Sequence, residues 1–332
     1  MVIKSVKLYN FRNYESFTLD FQRQMTLVVG GNGSGKTSVI EAVYLALVGK
    51  SFRSGDEEIV RRGEGGYRVE VARRDKVVVR YDGERRTFEI GGKKYGRLPA
   101  AEKYPVVLFL PSDLNLVGSS PAKKRDYFDT LLSNIDVAYH RALINYNKAL
   151  RQRNELLKSG RVVRNELFAW DVILARYGVE IEKKRKWLAG EINEVLSKEY
   201  RKIAGQKDEC ELGLVGVGEV SEGGYLDKLE KGVARDKILG HTRFGVHRDE
   251  WRFTFAGEAA DGNASRGETR SMVLALKFIE ADMLERELGK KPLILLDDVF
   301  SELDEVRQGK LVKNFMGNQV VVTSVREPEV NY

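Results

Sequence analysis

The chain is poor in the residues that soft metals and disulfides require: it has one cysteine, Cys210, and three histidines. A lone thiol closes no intramolecular disulfide, and Cys210 lies far in sequence from every histidine, so no zinc site is expected and the thiol reads as structural. Long apolar runs are missing too, since none approaches the ~20 residues of a membrane span. The first residues (Val2-Ile3-Lys4-Ser5-Val6-Lys7-Leu8) read as a strand with no signal peptide ahead of it. A cytoplasmic protein is the expectation. There is no low-complexity segment and no internal repeat, and 32% charged with 42% hydrophobic residues excludes long disordered tracts. A chain of 332 residues has room for a large core and two lobes.

Acidic residues are outnumbered, giving a net charge of +7, which invites a polyanionic partner without specifying it. Two segments carry the excess: residues 61–103 hold 13 basic against 7 acidic side chains, and residues 148–201 hold 13 against 8. The remainder is slightly acidic.

The most informative segment is Gly30-Gly31-Asn32-Gly33-Ser34-Gly35-Lys36-Thr37, which follows the apolar run Met25-Thr26-Leu27-Val28-Val29. It fits G-x-x-x-x-G-K-[ST], in which glycines let backbone N–H groups close around phosphates, Lys36 adds a cation and the Thr37 hydroxyl ligates Mg²⁺. The helix opening at Ser38 aims its positive end at the same phosphates. A nucleoside triphosphate, ATP, is the expected ligand. Far downstream, Pro292-Leu293-Ile294-Leu295-Leu296-Asp297-Asp298 is an apolar strand ending in two carboxylates, of the kind found at the centre of a parallel sheet. Asp297 is placed to hold Mg²⁺ and Asp298 to polarise an attacking water, with Lys36 as the second catalytic group.

Between these motifs the pattern changes twice. Short β runs (Arg68-Val69-Glu70-Val71, Lys76-Val77-Val78-Val79-Arg80, Thr87-Phe88-Glu89-Ile90) predict an antiparallel sheet with basic outer faces, and Val106-Val107-Leu108-Phe109-Leu110 a buried strand. Helical spacing follows: Leu143, Tyr146, Leu150 and Leu157 mark one amphipathic helix, and Leu167, Trp170, Leu174, Tyr177, Ile181, Leu188, Ile192 and Val195 a longer one, with Ser159-Gly160 as the turn. The expected architecture is α/β: a P-loop ATPase head with a mixed β-sheet lobe, formed by residues 1–115 and 240–332, into which residues 116–239 insert as an all-helical hairpin arm.

Ser265-Arg266-Gly267-Glu268 precedes a helix and the aspartate pair, and resembles the signature of ATP-binding-cassette proteins. Ser301-Glu302-Leu303-Asp304 takes the place of their D-loop, and Gln319-Val320-Val321-Val322-Thr323-Ser324 that of the closing strand that leads to a switch residue. Within that class the whole chain resembles the RecF family of bacterial recombination proteins, through Leu8-Tyr9-Asn10-Phe11-Arg12-Asn13-Tyr14, Ser51-Phe52-Arg53, Arg125-Asp126-Tyr127-Phe128-Asp129, Gly245-Val246-His247-Arg248-Asp249 and Leu295-Leu296-Asp297-Asp298-Val299-Phe300-Ser301-Glu302-Leu303-Asp304. The chain departs from that pattern at Val246 (more often proline), at Glu268 (more often glutamine) and at Gly33-Ser34 (more often alanine-glutamine), and has no clear glutamine loop in residues 110–113.

The resemblance implies that ATP sits on the phosphate loop with Mg²⁺ on Thr37 and Asp297, that Arg12 approaches the nucleotide, and that Ser265 and Gly267 of a second subunit cap the γ-phosphate in an ATP-dependent homodimer. Hydrolysis oriented by Asp298 then loosens a clamp on DNA; aspartate reaches one methylene less far than glutamate, which argues for slow turnover. It further implies action at gapped or junction DNA with RecO and RecR, to load RecA. Two other readings stay open: a small structural-maintenance or double-strand-break-repair ATPase, and a transporter ATPase subunit. From the residues alone, Arg12 is an exposed turn arginine, His247 reads as a structural hydrogen-bonder, Trp170 and Trp187 as core, and Lys183-Lys184-Arg185-Lys186 either as a DNA track or as a solvated helix face.

Overall fold

The computed structural model describes residues 2–159, 164–218 and 221–326. The chain divides into two compact units, Met1–Leu114 with Glu280–Tyr332, and Asn115–Ile279. The first unit opens with the hairpin β1 (Ser5–Phe11) and β2 (Tyr14–Asp20), then β3 (Met25–Val29), which runs into α1 (Lys36–Val48). After the single turn α2 (Asp56–Ile59) come β4 (Tyr67–Ala72), β5 (Val77–Tyr81), β6 (Arg86–Ile90), β7 (Lys93–Tyr95) and β8 (Val106–Phe109). The expected antiparallel sheet is present, with order β2-β1-β4-β5-β6-β7. Its register explains the alternation in the sequence: Val69 faces Val79 and Val71 faces Val77, all buried, while the side chains between them turn to the other face. On that face Arg68 stands opposite Arg80, a repulsive pair that Glu70 and Glu89 offset by ion-pairing to Arg68 and Arg80 respectively. Lys76 also binds Glu70, and Arg73 binds Glu102, so much of the expected basic face is neutralised.

The second unit contains α3 (Pro121–Ile135), α4 (Val137–Lys158), α5 (Arg164–Ala204), β9 (Cys210–Val215), α6 (Glu222–Leu239), β10 (Glu250–Phe255), β11 (Glu258–Ala259), the short α7 (Ala260–Asn263) and the first part of α8 (Arg266–Leu288). Caps set the starts of α3 and α4: Ser120 accepts from the Lys123 N–H ahead of Pro121, and Asp136 from the Ala138 and Tyr139 N–H groups. The expected helical hairpin is α4 and α5; of its turn, Gly160 lies outside the described residues. Two expectations need correction. The arm is not all helical, because β9 pairs antiparallel with β10 from Cys210↔Phe255 to Val215↔Glu250. The chain also stays in this unit past residue 240, returning at 280, because β10 completes that sheet and stacks Trp251 on Phe128 of α3 at 4.1 Å.

Two buried arginines hold these helices. Arg153 on α4 donates to Asp171 (2.5 Å) on α5 and to Asp236 (2.7 Å) on α6. Arg185 on α5 grips Asp129 on α3 through both carboxylate oxygens (3.0 and 2.8 Å), and also binds Asp249 (2.8 Å) and the Val246 carbonyl (2.6 Å). The basic run of α5 is therefore neither an open track nor a merely solvated face, for Arg185 is buried, Lys184 pairs with Asp136 and Lys186 with Glu182. Arg185 thereby joins the motifs around Asp129 and Asp249. His247 is structural as expected: its ring nitrogens face Tyr146 Oη (2.8 Å) and the Thr242 carbonyl (3.0 Å), and burial pushes its pKa down to about 4. Cys210 is buried and its thiol pushed up to about 12, chiefly by desolvation. Trp170 is half-buried, whereas Trp187 is exposed rather than core.

The chain re-enters the first unit to form β12 (Leu293–Asp297), α9 (Glu305–Asn314) and β13 (Val320–Ser324). These complete a parallel sheet of order β3-β13-β12-β8, whose two central strands are buried along their whole length, as continuous apolar runs require. Helix α1 is buried almost all round and shares a core with both sheets of this unit. The Gln319 side chain fastens the start of the chain to β13: its Oε1 accepts from Val2 and Ile3, and its Nε2 donates to the Ile3 and Gln22 carbonyls.

Candidate active site

The glycine loop lies between β3 and α1, where two residues adopt left-handed backbone, Gly33 (φ 77°) and Gly35 (φ 97°). Gly35 caps α1 without a side chain, leaving the first N–H groups of the helix for a ligand. Lys36 Nζ folds along the loop and donates to the Gly30 (2.5 Å) and Gly31 (2.9 Å) carbonyls.

The topology brings the second motif to the first. Strand β13 lies between β3 and β12, and its Thr323 hydroxyl reaches Asp297 Oδ1 at 2.8 Å; Thr37 Oγ1, at the start of α1, meets the same oxygen at 2.9 Å. Burial raises the Asp297 pKa, an effect that the two hydroxyls oppose. The adjoining Asp298 has left-handed backbone (φ 51°), costly for a non-glycine residue, and its N–H is tied to Thr323. Its Oδ1 is buried with no hydrogen-bond partner among the described residues. A buried carboxylate oxygen in that condition is poised for an incoming donor. Asp298 lines a cleft of about 650 Å³ together with Arg12, Asn32, Gly33, Lys36, Thr37 and others of the loop, within the size range of ligand sites.

A hydroxyl and a carboxylate oxygen sharing one position suit a hard cation such as Mg²⁺, which takes few protein ligands and completes its shell with water and phosphate. No cluster of three or more Asp, Glu, His or Cys able to hold a metal occurs among the described residues. Arg12 is at the cleft, but its guanidinium is occupied: it grips the fully buried Glu41 at 2.9 and 2.6 Å and also binds Ser54 Oγ and the Glu58 carbonyl. Ser51 Oγ donates to the same Glu41 at 2.6 Å. Sequence reasoning picked out Arg12 and Ser51-Phe52-Arg53 but missed Glu41, the carboxylate that unites them; its only signal was a charge on an otherwise apolar helix.

Ser265 and Gly267 belong to the second unit. There the Ser265 Oγ accepts from the Glu268 N–H (3.3 Å) while the Glu268 carboxylate accepts from the Ser265 N–H (2.7 Å), a reciprocal capping box at the start of α8. In the D-loop region, the Gln308 amide, also missed, donates to the Phe300 and Leu303 carbonyls and fixes the turn that carries Ser301 and Glu302.

The RecF/RecN/SMC N-terminal domain model matches residues 2–332. The DNA replication and repair protein RecF of Lachnoclostridium phytofermentans is 34% identical over 335 residues, covering 97% of this chain and 92% of that protein. The RecF of Moorella thermoacetica is 34% identical over 325 residues, covering 95% and 87%. The chain belongs to the RecF family. A solved structure of the recombination mediator protein RecF with ATP superposes with a TM-score of 0.89 at 29% identity, covering 99% of this chain and 93% of that one. An SMC head bound to the C-terminal winged-helix domain of ScpA aligns with a TM-score of 0.54 at 16% identity, covering 98% of this chain and 90% of that one, a likeness of fold alone. The fold is thus the α/β ATPase head that RecF shares with SMC proteins. No helix among the described residues is long and apolar enough to cross a membrane.

Proposed function

We propose that this RecF-family chain is an ATP-hydrolysing DNA-repair protein, which dimerises with ATP on gapped or junction DNA and acts with RecO and RecR in loading RecA. The observation that carries the catalytic part is the meeting of Thr37 and Asp297 at 2.9 Å beside an Asp298 carboxylate oxygen that has no partner among the described residues. ATP places its phosphates on residues 30–38, where the loop N–H groups and Lys36 neutralise them. Thr37 and Asp297 would hold Mg²⁺, which supplies charge neutralisation at the β- and γ-phosphates when bound. Asp298 orients the attacking water and accepts its proton. Ser265 and Gly267 of a second copy supply the helix start that closes the nucleotide from across a two-fold interface. Turnover is slow, because the short Asp298 side chain holds the water less closely than a glutamate.

For DNA, the cations of Lys184, Arg185 and Lys186 are already spent on carboxylates. The outer face of α4 is a better candidate: Arg141, Lys148 and Arg151 lie on one side of the helix, are exposed, and form no ion pair among the described residues. The arm also favours RecF over a long-tethering SMC-type protein, since α4 has 22 residues and α5 has 41. The test measures mass and duplex affinity together in ATP, ADP and no nucleotide at two salt concentrations. ATP should produce the dimer and the tighter, salt-sensitive binding; reversing charge at Arg141, Lys148 and Arg151 should weaken binding on unrelated sequences and reduce the salt slope by about 3. A monomer in ATP with DNA affinity independent of nucleotide would sink this function.

A further inference from the structure

The turn between β1 and β2 touches the phosphate loop at two carbonyls. Tyr14 Oη donates to the Ser34 carbonyl at 3.2 Å, and Asn13 Nδ2 reaches the Gly33 carbonyl at 3.4 Å. The Tyr14 ring also lies against Gly35, where an added Cβ would meet three of its atoms at 2.6 to 2.7 Å. The turn is itself well anchored. Arg12 N–H donates to the Ile59 carbonyl (2.7 Å), Arg61 N–H to that of Asn10 (2.9 Å), and Phe17 packs on the Tyr14 ring at 4.5 Å. Asn10 and Arg12 hold left-handed backbone there (φ 50° and 56°), a strained conformation that these contacts must maintain.

A trans peptide is planar, so holding one carbonyl fixes the N–H of the next residue in the opposite direction. Tyr14 at the Ser34 carbonyl therefore turns the Gly35 N–H away from its own hydroxyl, and no group in the described chain accepts from that N–H. Burial raises the Tyr14 pKa, keeping the phenol protonated and able to donate through neutral and mildly alkaline pH. We propose that Tyr14, helped by Asn13, is a positioning clamp that presents the Ser34–Gly35 peptide N–H to a bound polyphosphate and makes triphosphate affinity depend on the β1–β2 hairpin. The clamp rests on the triphosphate reading given above and deepens it.

Tyr14→Phe keeps the ring against Gly35 and removes only the donor. Compared with wild type on the full chain, it should lower affinity for ATP and for inorganic tripolyphosphate by the same factor, about five-fold for one neutral hydrogen bond. KM for ATP should rise in step while kcat stays within about two-fold, because the hydroxyl touches no reacting atom. The unfolding midpoint without nucleotide should fall by no more than one hydrogen bond is worth, about 1 kcal/mol. Asn13→Ala should lower both affinities by a smaller factor, given its longer contact. Unchanged affinity in Tyr14→Phe overturns the clamp, as does a loss matched by equal falls in kcat and unfolding midpoint, which is general damage. Failure of the triphosphate reading looks different: wild type itself then binds neither ATP nor tripolyphosphate, and the clamp falls with it.

Discussion

Arg185→Leu separates a structural arginine from a DNA-binding one. The substitution leaves only a short apolar side chain and strips Asp249 and Asp129 of a buried cation that makes five hydrogen-bonded contacts of 2.6 to 3.3 Å. Breaking a buried ion pair from one side costs about 3–5 kcal/mol, because the partner charge is left desolvated. With a slope of about 3 kcal/mol per molar urea, the unfolding midpoint of the second unit should fall by about 1 to 1.7 M. Lys183→Leu, an exposed neighbour in the same run, should stay within about 0.5 kcal/mol of wild type. The loss should depend on pH. Burial raises the Asp249 pKa even with Arg185 opposing it, so the folded carboxyl holds its proton more readily than the unfolded one and stability declines as pH rises above the ordinary carboxylate value. Removing Arg185 extends that window upward, so the destabilisation should be smaller near pH 5 than near pH 8. Urea titrations at both pH values, alongside DNA binding, make the comparison. An Arg185→Leu protein with wild-type stability and weakened DNA affinity would refute the buried-network argument and restore Arg185 to the DNA surface.

Lys36→Ala should reduce ATP affinity by at least a hundred-fold, with a loss of stability in the absence of nucleotide no larger than the few kcal/mol or less of its hydrogen bonds to the Gly30 and Gly31 carbonyls; calorimetric titration checks this, and wild-type affinity would exclude the phosphate-loop assignment. Asp298→Asn should retain ATP binding, slow phosphate release by about ten-fold or more and lengthen the life of the ATP dimer; wild-type turnover would move the water-orienting role elsewhere. Ser265→Arg should bind ATP as a monomer but fail to dimerise on light scattering, since a bulky cation fills the cap offered to the other subunit; a normal ATP dimer would remove the trans-capping model.

The phosphate loop was legible because its mechanism is local: eight consecutive residues supply the turn, the cation and the hydroxyl. The aspartate pair was legible once an apolar strand of the right length preceded it, and the helical hairpin because its period extends over many turns. What sequence could not convey was pairing at a distance. Arg185 looks like its exposed neighbour Lys183, but Asp129, Asp249 and the Val246 carbonyl, 56, 64 and 61 residues away, hold it out of solvent. Strand β9 escaped for a similar reason, since its alternation is short and its partner β10 follows only after α6. Arg12 was expected to approach the nucleotide, but the carboxylate that occupies its guanidinium lies two strands and the phosphate loop away, in Glu41 of α1.

The insertion of β13 between β3 and β12 has a consequence for the time at which the protein can first work. The strand that leads into the phosphate loop ends at Val29, yet its sheet neighbour begins only at Val320. A ribosome adding about 5–20 residues per second needs roughly 15 to 60 s to cover that interval. Throughout it, β3 lacks its partner, Thr323 is not there to hold Asp297 and Asp298, and Gln319 cannot fasten the first strand. The nascent chain thus emerges without a usable nucleotide site, and that site can assemble only once β13 has been made.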